Sequence, residues 1–201
     1  MVNGHCKVEG QLSSERIQVN GYLEGGGEVI GKRVEVNGML STRSELDCEE
    51  LKVHGRISAK EIFARRVQFP SSGLGKLGKI YSFETRMKTF GKRGWMSSFL
   101  PPNILHHING YLSGTVESIV GDTVQLEGVR KADYIGGNHV EIEGECEVKE
   151  LHYSTSLKLG PKVVVHSLVK RESPFDFDSL FTNSTYKTSR DSQLGSHNLQ
   201  I

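Results

Sequence analysis

Ile17-Gln18-Val19-Asn20-Gly21, Val34-Glu35-Val36-Asn37-Gly38 and Leu51-Lys52-Val53-His54-Gly55 write one phrase, apolar-x-apolar-x-Gly, three times at one constant interval, Ile17 to Val34 to Leu51. A looser copy, Val67-Gln68-Phe69-Pro70-Ser71, follows at a slightly shorter interval, and Val2-Asn3-Gly4 is a truncated copy in front. A fixed short period decides the architecture, because a repeat too small to bury an apolar face alone must stack on its neighbours.

Other positions keep the same interval. Cys6, Leu23, Leu40 and Ile57 are evenly spaced, and Leu12, Val29, Leu46 and Ile62 follow the same steps except for a last one that is one residue shorter. The C-terminal half repeats the scheme in Val124-x-Leu126-x-Gly128, Val140-x-Ile142-x-Gly144 and Leu157-x-Leu159-Gly160, accompanied by Ile119, Ile135, Leu151 and Leu168. Within a copy, as in Val140-Glu141-Ile142-Glu143, apolar and polar residues alternate, the period of a strand with one buried face. A unit of about 17 residues is too short for a strand, a helix and two loops. It suits short strands bent around a central core. The spacing therefore predicts an all-β chain, a single-stranded parallel β-helix of about 17 residues per coil over residues 1–170. Roughly eight coils stacked about 4.8 Å apart make a rod about 40 Å long. The recurrent Gly marks a corner that needs positive φ or leaves no room for Cβ.

With 201 residues and 36% hydrophobic content the chain can bury one core, which repetition makes elongated. A net charge of +1 argues against a general nucleic-acid binder, which needs a concentrated basic surface. No stretch reads as a signal peptide or as an apolar span of about 18 residues, so the expected location is cytoplasmic. Cys6 and Cys146 occupy positions used elsewhere by Leu, Ile and Val, and Cys48 falls where other coils carry Ser14, Gly31 and Ala64. They read as small buried hydrophobes, and an odd count disfavours a disulfide framework.

The period breaks after Phe69, and the next matching position, Ile108, comes more than two coils later. The reading is a basic and aromatic insertion at about 75–105. Lys76, Lys79, Arg86, Lys88, Lys92 and Arg93 face one acid, Glu84, and are followed by Trp95, Met96, Phe99 and Leu100. Ile80, Phe83, Met87 and Phe90 have helical spacing, while Tyr81, Phe83, Thr85, Met87 and Thr89 alternate as a strand would; both remain open. Lys88, Lys92, Arg93, Trp95 and Phe99 either form a surface for an anionic membrane or a partner, or belong to a piece that covers the rod's flank or completes a coil. The second reading is favoured. Glu141, Glu143, Glu145 and Glu147 form an acidic stripe over which Glu127 stacks. The stripe either receives the basic segment or, the favoured reading, is a solvated face. A Ser/Thr/Asn-rich tail over 171–201 is expected to be flexible, with Phe175, Phe177 and Phe181 folding over the open C-terminal coil as a cap or serving as a partner motif.

Enzyme signatures are not found. Trimeric acyltransferases and γ-class carbonic anhydrases also use β-helices, but theirs are left-handed and built from hexapeptides, with a coil slightly longer than the one this chain prefers. His5, His54, His139 and His152 fall in different phases, and His106 reads as a rim residue at an irregular coil. No catalytic residue, metal or cofactor is expected. Gly25-Gly26-Gly27 lacks the Lys-Ser/Thr of a phosphate loop.

The repeated Val-x-Gly-x-Leu corners on this cycle and the low-complexity tail resemble the bactofilins, polymer-forming bacterial cytoskeletal proteins. The stretch from Gly121-Asp122-Thr123-Val124 through Gly136-Gly137-Asn138-His139-Val140, Cys146 and Leu151-His152-Tyr153 is similar to Gram-positive members. The resemblance covers most of residues 1–170 outside the segment near 75–105. It implies a right-handed β-helix that assembles end to end into nonpolar, nucleotide-independent filaments, cytoplasmic or peripheral at the inner face of the cell membrane. The roles implied are cell shape, envelope organisation or motility, with envelope or motility proteins as partners. Many bactofilins begin with a hydrophobic membrane-targeting tail, which is not found here; membrane association would then rest on the insertion.

Physics points the same way, since each end of a β-helix offers unpaired edges and an open slice of core. The expected contact residues are Val2, Cys6, Val8 and Leu12 at one end and Leu157, Leu159, Val163 and Leu168 at the other. The alternatives are a β-helical trimeric enzyme of the acyltransferase or γ-carbonic-anhydrase type and a monomeric adaptor that uses the acidic stripe and tail.

Overall fold

The computed structural model describes residues 1–69, 76–88 and 115–182. Among them the inward residues of successive coils lie directly over one another, as the spacing predicts: Cys6 on Leu23, Leu23 on Leu40 and Leu40 on Ile57, and Leu12 on Val29, Val29 on Leu46 and Leu46 on Ile62. These contacts define a parallel β-solenoid of about 8 turns with roughly 17 residues per coil.

Two walls build it. A four-stranded parallel sheet contains β1 (His5–Val8), β3 (Tyr22–Gly25), β5 (Met39–Thr42) and β7 (Arg56–Ser58) in that order. A nine-stranded parallel sheet contains β2 (Leu12–Val19), β4 (Val29–Val36), β6 (Glu45–Val53), β8 (Glu61–Phe69), β9 (Lys76–Lys88), β10 (Thr115–Glu127), β11 (Lys131–Glu143), β12 (Glu145–Leu159) and β13 (Lys162–Lys170), each bonded to the next. One short helix, α1 (Phe177–Thr182), follows.

β2, β4, β6 and β8 each bend once and the longer β9, β10 and β11 twice, and the sequence shows how. In Gly31-Lys32-Arg33-Val34, Cys48-Glu49-Glu50-Leu51 and Ala64-Arg65-Arg66-Val67, two outward residues stand between two inward ones. That doubling breaks the two-residue alternation and turns the chain through a corner. The inward corner position holds only small residues, Ser14, Gly31, Cys48 and Ala64, stacked in register. Cys48 is thus a small core residue, and Cys146 lies under Val163 in the inward phase.

The corner glycines are required for space. A Cβ on Gly38 would stand 2.0 Å from the Gly21 carbonyl oxygen, and one on Gly55 1.9 Å from that of Gly38. Backbone stacks on backbone here, so no side chain fits. Positive φ is the reason at Gly128 and Gly144, at 80° and 83°.

Over Lys76–Lys88 the basic segment completes a coil, one form of the favoured reading, and of the two open alternatives it is a strand, pairing with β8 on one side and β10 on the other; what is corrected is the start of the insertion, placed at about 75. The break in the period lies instead between β9 and β10, where Ile80 stacks on Ile119. Inside β9 the core carries Ser82 and Thr85, both fully buried, which satisfy each other through a hydroxyl–hydroxyl hydrogen bond.

Candidate functional site

The ends of the solenoid follow from its core. Ile119, Ile135 and Leu151 stack in one inward ladder and are completely buried. Leu168, next in that ladder, is 51% exposed. Among the described residues the core therefore ends open rather than capped. Covering the half of Leu168 that is still in water would contribute roughly 1 kcal/mol, about half of what full burial of such a side chain gives.

The C-terminal end is a stepped surface. β13 lies on Glu145–Tyr153 of β12, while Ser156–Leu159 of β12 lie on β11 and carry no strand above them among the described residues. Leu157 is half-buried against the core and Leu159 is exposed. Val163 and Val165 are also half-buried, and Val164 and Val169 of the same strand are exposed. At the other end Val2 bridges to Val19, and Val2, Cys6, Val8 and Leu12 pack on the core while remaining partly accessible. The structure thus brings the eight end residues named from the sequence to the two terminal coils, four at each end. Among the described residues each end also carries a free strand edge, β1 and β2 at one and β13 with the last residues of β12 at the other. Such edges are templates for another chain.

The flanks are lined by charge ladders that the sequence reading missed. Arg33 Nε donates to Glu50 Oε2 at 2.8 Å, and Arg66 Nε to Glu84 Oε2 at 3.1 Å. The signal was present as opposite charges at the repeat interval, Arg33 to Glu50 and Arg66 to Glu84. All these groups are partly solvated, so each pair contributes at most about 1 kcal/mol.

Of the acidic stripe, Glu141 and Glu143 are both bound by Lys158, with Lys158 Nζ 3.0 Å from Glu143 Oε1. These hydrogen bonds raise the lysine's pKa. Glu147 lies 3.1 Å from His166 and 3.7 Å from Lys131, and the His166 hydrogen bond, helped by Lys131, holds its carboxyl below the usual carboxylate range. Glu145 is exposed. Lys88, from the basic segment, pairs at 3.0 Å with Glu127, its register partner across β9 and β10. Lys92, Arg93, Trp95 and Phe99, and with them His106, lie outside the described residues.

The tail corrects another expectation. Phe175, Phe177 and Phe181 do not cover the last coil; they turn back along the flank to β9 and β11. Phe83 of β9 stacks on Phe181 with centroids 4.8 Å apart and contacts Phe177 at 6.3 Å.

Burial pushes the Cys48 thiol well up, reinforced by Asp47, Glu50 and Glu49, and pushes that of Cys146 up to about 12. Neither is a nucleophile near neutral pH. His139 Nδ1 is 2.9 Å from Ser156 Oγ and His152 Nε2 is 2.7 Å from Glu150 Oε1, at separate places on the surface. Among the described residues no three His, Cys, Asp or Glu side chains converge to hold a metal, and no helix is long and apolar enough to cross a membrane. Compared with models of known families, with curated proteins and with solved structures, the chain matches none.

Proposed function

We propose that this chain is a non-enzymatic structural scaffold that stacks end to end, coil upon coil, into filaments that need no nucleotide, metal or cofactor. The observation that carries the reading is the half-exposed Leu168 above the fully buried Leu151, beside a free strand edge at the same end. A second copy placed there removes apolar surface from water and pairs edge groups in one step. The resemblance to the bactofilins supports the same reading, and with it a role in cell shape, envelope organisation or motility at or near the inner face of the membrane.

The test compares wild type with Leu168→Arg by sedimentation over a range of concentrations. Leu168 is already half in water, so the substitution leaves the folded chain intact while placing a charge on the contact surface. The expected result is concentration-dependent growth for wild type and short species for the variant, with unchanged β content. Equal growth in both would overturn the reading.

A further inference from the structure

The last strand is poorly held by its own burial. None of the residues of β13 is fully buried, only Val163 and Val165 are half-buried, and among the described residues its strand pairing is with β12 alone. In a stacked array a terminal unit bonded on one side frays unless something else secures it.

The chain after β13 supplies that restraint. The Arg171 amide still donates to the Tyr153 carbonyl at 2.7 Å, one step beyond the last register pair. The backbone then leaves the path of the coil. Asn138 of β11, at the corner and 7% exposed, receives it: its Oδ1 accepts from the Phe175 amide at 2.7 Å, and its Nδ2 donates to the Phe175 carbonyl at 3.3 Å. The same side chain is fixed from both neighbouring coils, donating to Asp122 Oδ1 at 2.8 Å and accepting from Ser154 Oγ at 2.7 Å.

Aromatic packing completes the attachment. Gly136 leaves the space that the Tyr134 and Phe175 rings fill, since a Cβ there would stand 2.9 Å from Tyr134 and 3.2 Å from the Phe175 ring, and Arg171 lies 4.2 Å from the centroid of the Phe175 ring. Phe177 is buried, between Phe175 and Phe83, and Phe181 stacks on Phe83. The Asp176 carboxylate accepts from the Asp178 amide at 3.1 Å and caps the start of α1. The chain leaving β13 is thus pinned to coils that lie deeper in the rod, as far as β9.

We propose that residues 171–182 form an intramolecular latch, seated in a groove built by Phe83, Asp122, Gly136 and Asn138, that locks β13 onto the rod and so keeps the C-terminal end formed and ready to accept a second copy. The latch lies on the flank and leaves the β13 edge and Ser156–Leu159 uncovered, so it prepares the end without blocking it. This rests on the end-to-end reading only for its consequence in assembly; the locking of β13 stands apart from it.

Hydrogen exchange on dispersed protein tests the lock directly. Phe177→Ala removes the buried ring, and Phe181→Ser removes the outer one with less effect on folding. In both, the amides of Lys162–Lys170 are expected to exchange at least about tenfold faster while those of β9 to β11 keep their protection. A parallel sedimentation series should show the assembly threshold rising in the same order as the exchange rates. Unchanged exchange in β13 with residues 173–182 released overturns the latch. Release that leaves β13 protected only in mixtures, with the segment of one copy seated on another, also overturns it in favour of exchange between copies. If wild type never assembles while β13 loosens as expected, the end-to-end function fails and the latch stands.

Discussion

Asn37 donates its side-chain amide to Oδ1 of Asn20, one coil earlier, at 2.9 Å. Asn20 donates in turn to Asn3 at 2.9 Å, so one amide column runs across the corners of three coils. An amide is both donor and acceptor, which lets each member serve the coil on either side. Asn20→Ala cuts two links and Asn3→Ala one. Chemical denaturation should show a loss of about 1 kcal/mol for Asn20→Ala and less for Asn3→Ala. Equal losses would mean that the column does not act as a connected unit.

The backbone-on-backbone contact behind that column predicts a contrast between glycines. Gly38→Ala forces a methyl group against the Gly21 carbonyl, whereas nothing lies within 4 Å of a Cβ at Gly10. The first should cost about 1–3 kcal/mol and the second close to nothing in the same denaturation assay. Loss of stability at Gly10 as large as at Gly38 would contradict the steric account.

The three thiols should differ in reactivity. Cys48 and Cys146 are buried with raised pKa values, and Cys6 is half-buried in the first coil. Maleimide at neutral pH should label Cys6 first and the other two only on unfolding. In concentrated, assembled material Cys6 should become protected as well. Rapid labelling of Cys48 in the native protein would show that the core opens locally.

Charge at the last two coils gives a pH dependence whose sign is fixed. The folded pKa of Glu147 is lowered, so its stabilising effect is present above its unfolded value and is lost as pH falls through and below the carboxylate range. That of Lys158 is raised, so its effect is present below the ordinary lysine range and is lost as pH rises beyond it. Glu147→Gln should lessen the acid-induced loss of stability, and Lys158→Met should lessen the alkaline one while weakening the fold near neutral pH. Thermal melts across pH read both. Unchanged acid and alkaline limbs would show that these exposed pairs do not contribute.

Much of the fold was legible because its signal is repetition. Leu12, Val29, Leu46 and Ile62 announced a stacked ladder, and the structure stacks them. The same arithmetic found the end residues, since whatever stands first and last in a ladder lacks a neighbour. The strand at 76–88 was harder to read for a physical reason. Its inward residues Ile80, Ser82, Thr85 and Met87 are unevenly spaced, because the corner places Phe83 and Glu84 outward together. That phase slip imitates a helical period, and two hydroxyls in the core hid the apolar face. The latch was not legible from position at all. Nothing in Phe175, Phe177 and Phe181 says whether they cover the end or the flank; that is decided by Asn138 and by the bare backbone at Gly136, both more than two coils away from Phe175 along the chain.

The central claim, that the terminal coils carry one copy onto the next, is tested most directly by negative-stain electron microscopy of the purified, untagged protein over a range of concentration and salt, without nucleotide or metal. Unbranched filaments as narrow as a single rod, lengthening with concentration and lost in Leu168→Arg, are what the open ends predict. Uniform small particles at every concentration would contradict it.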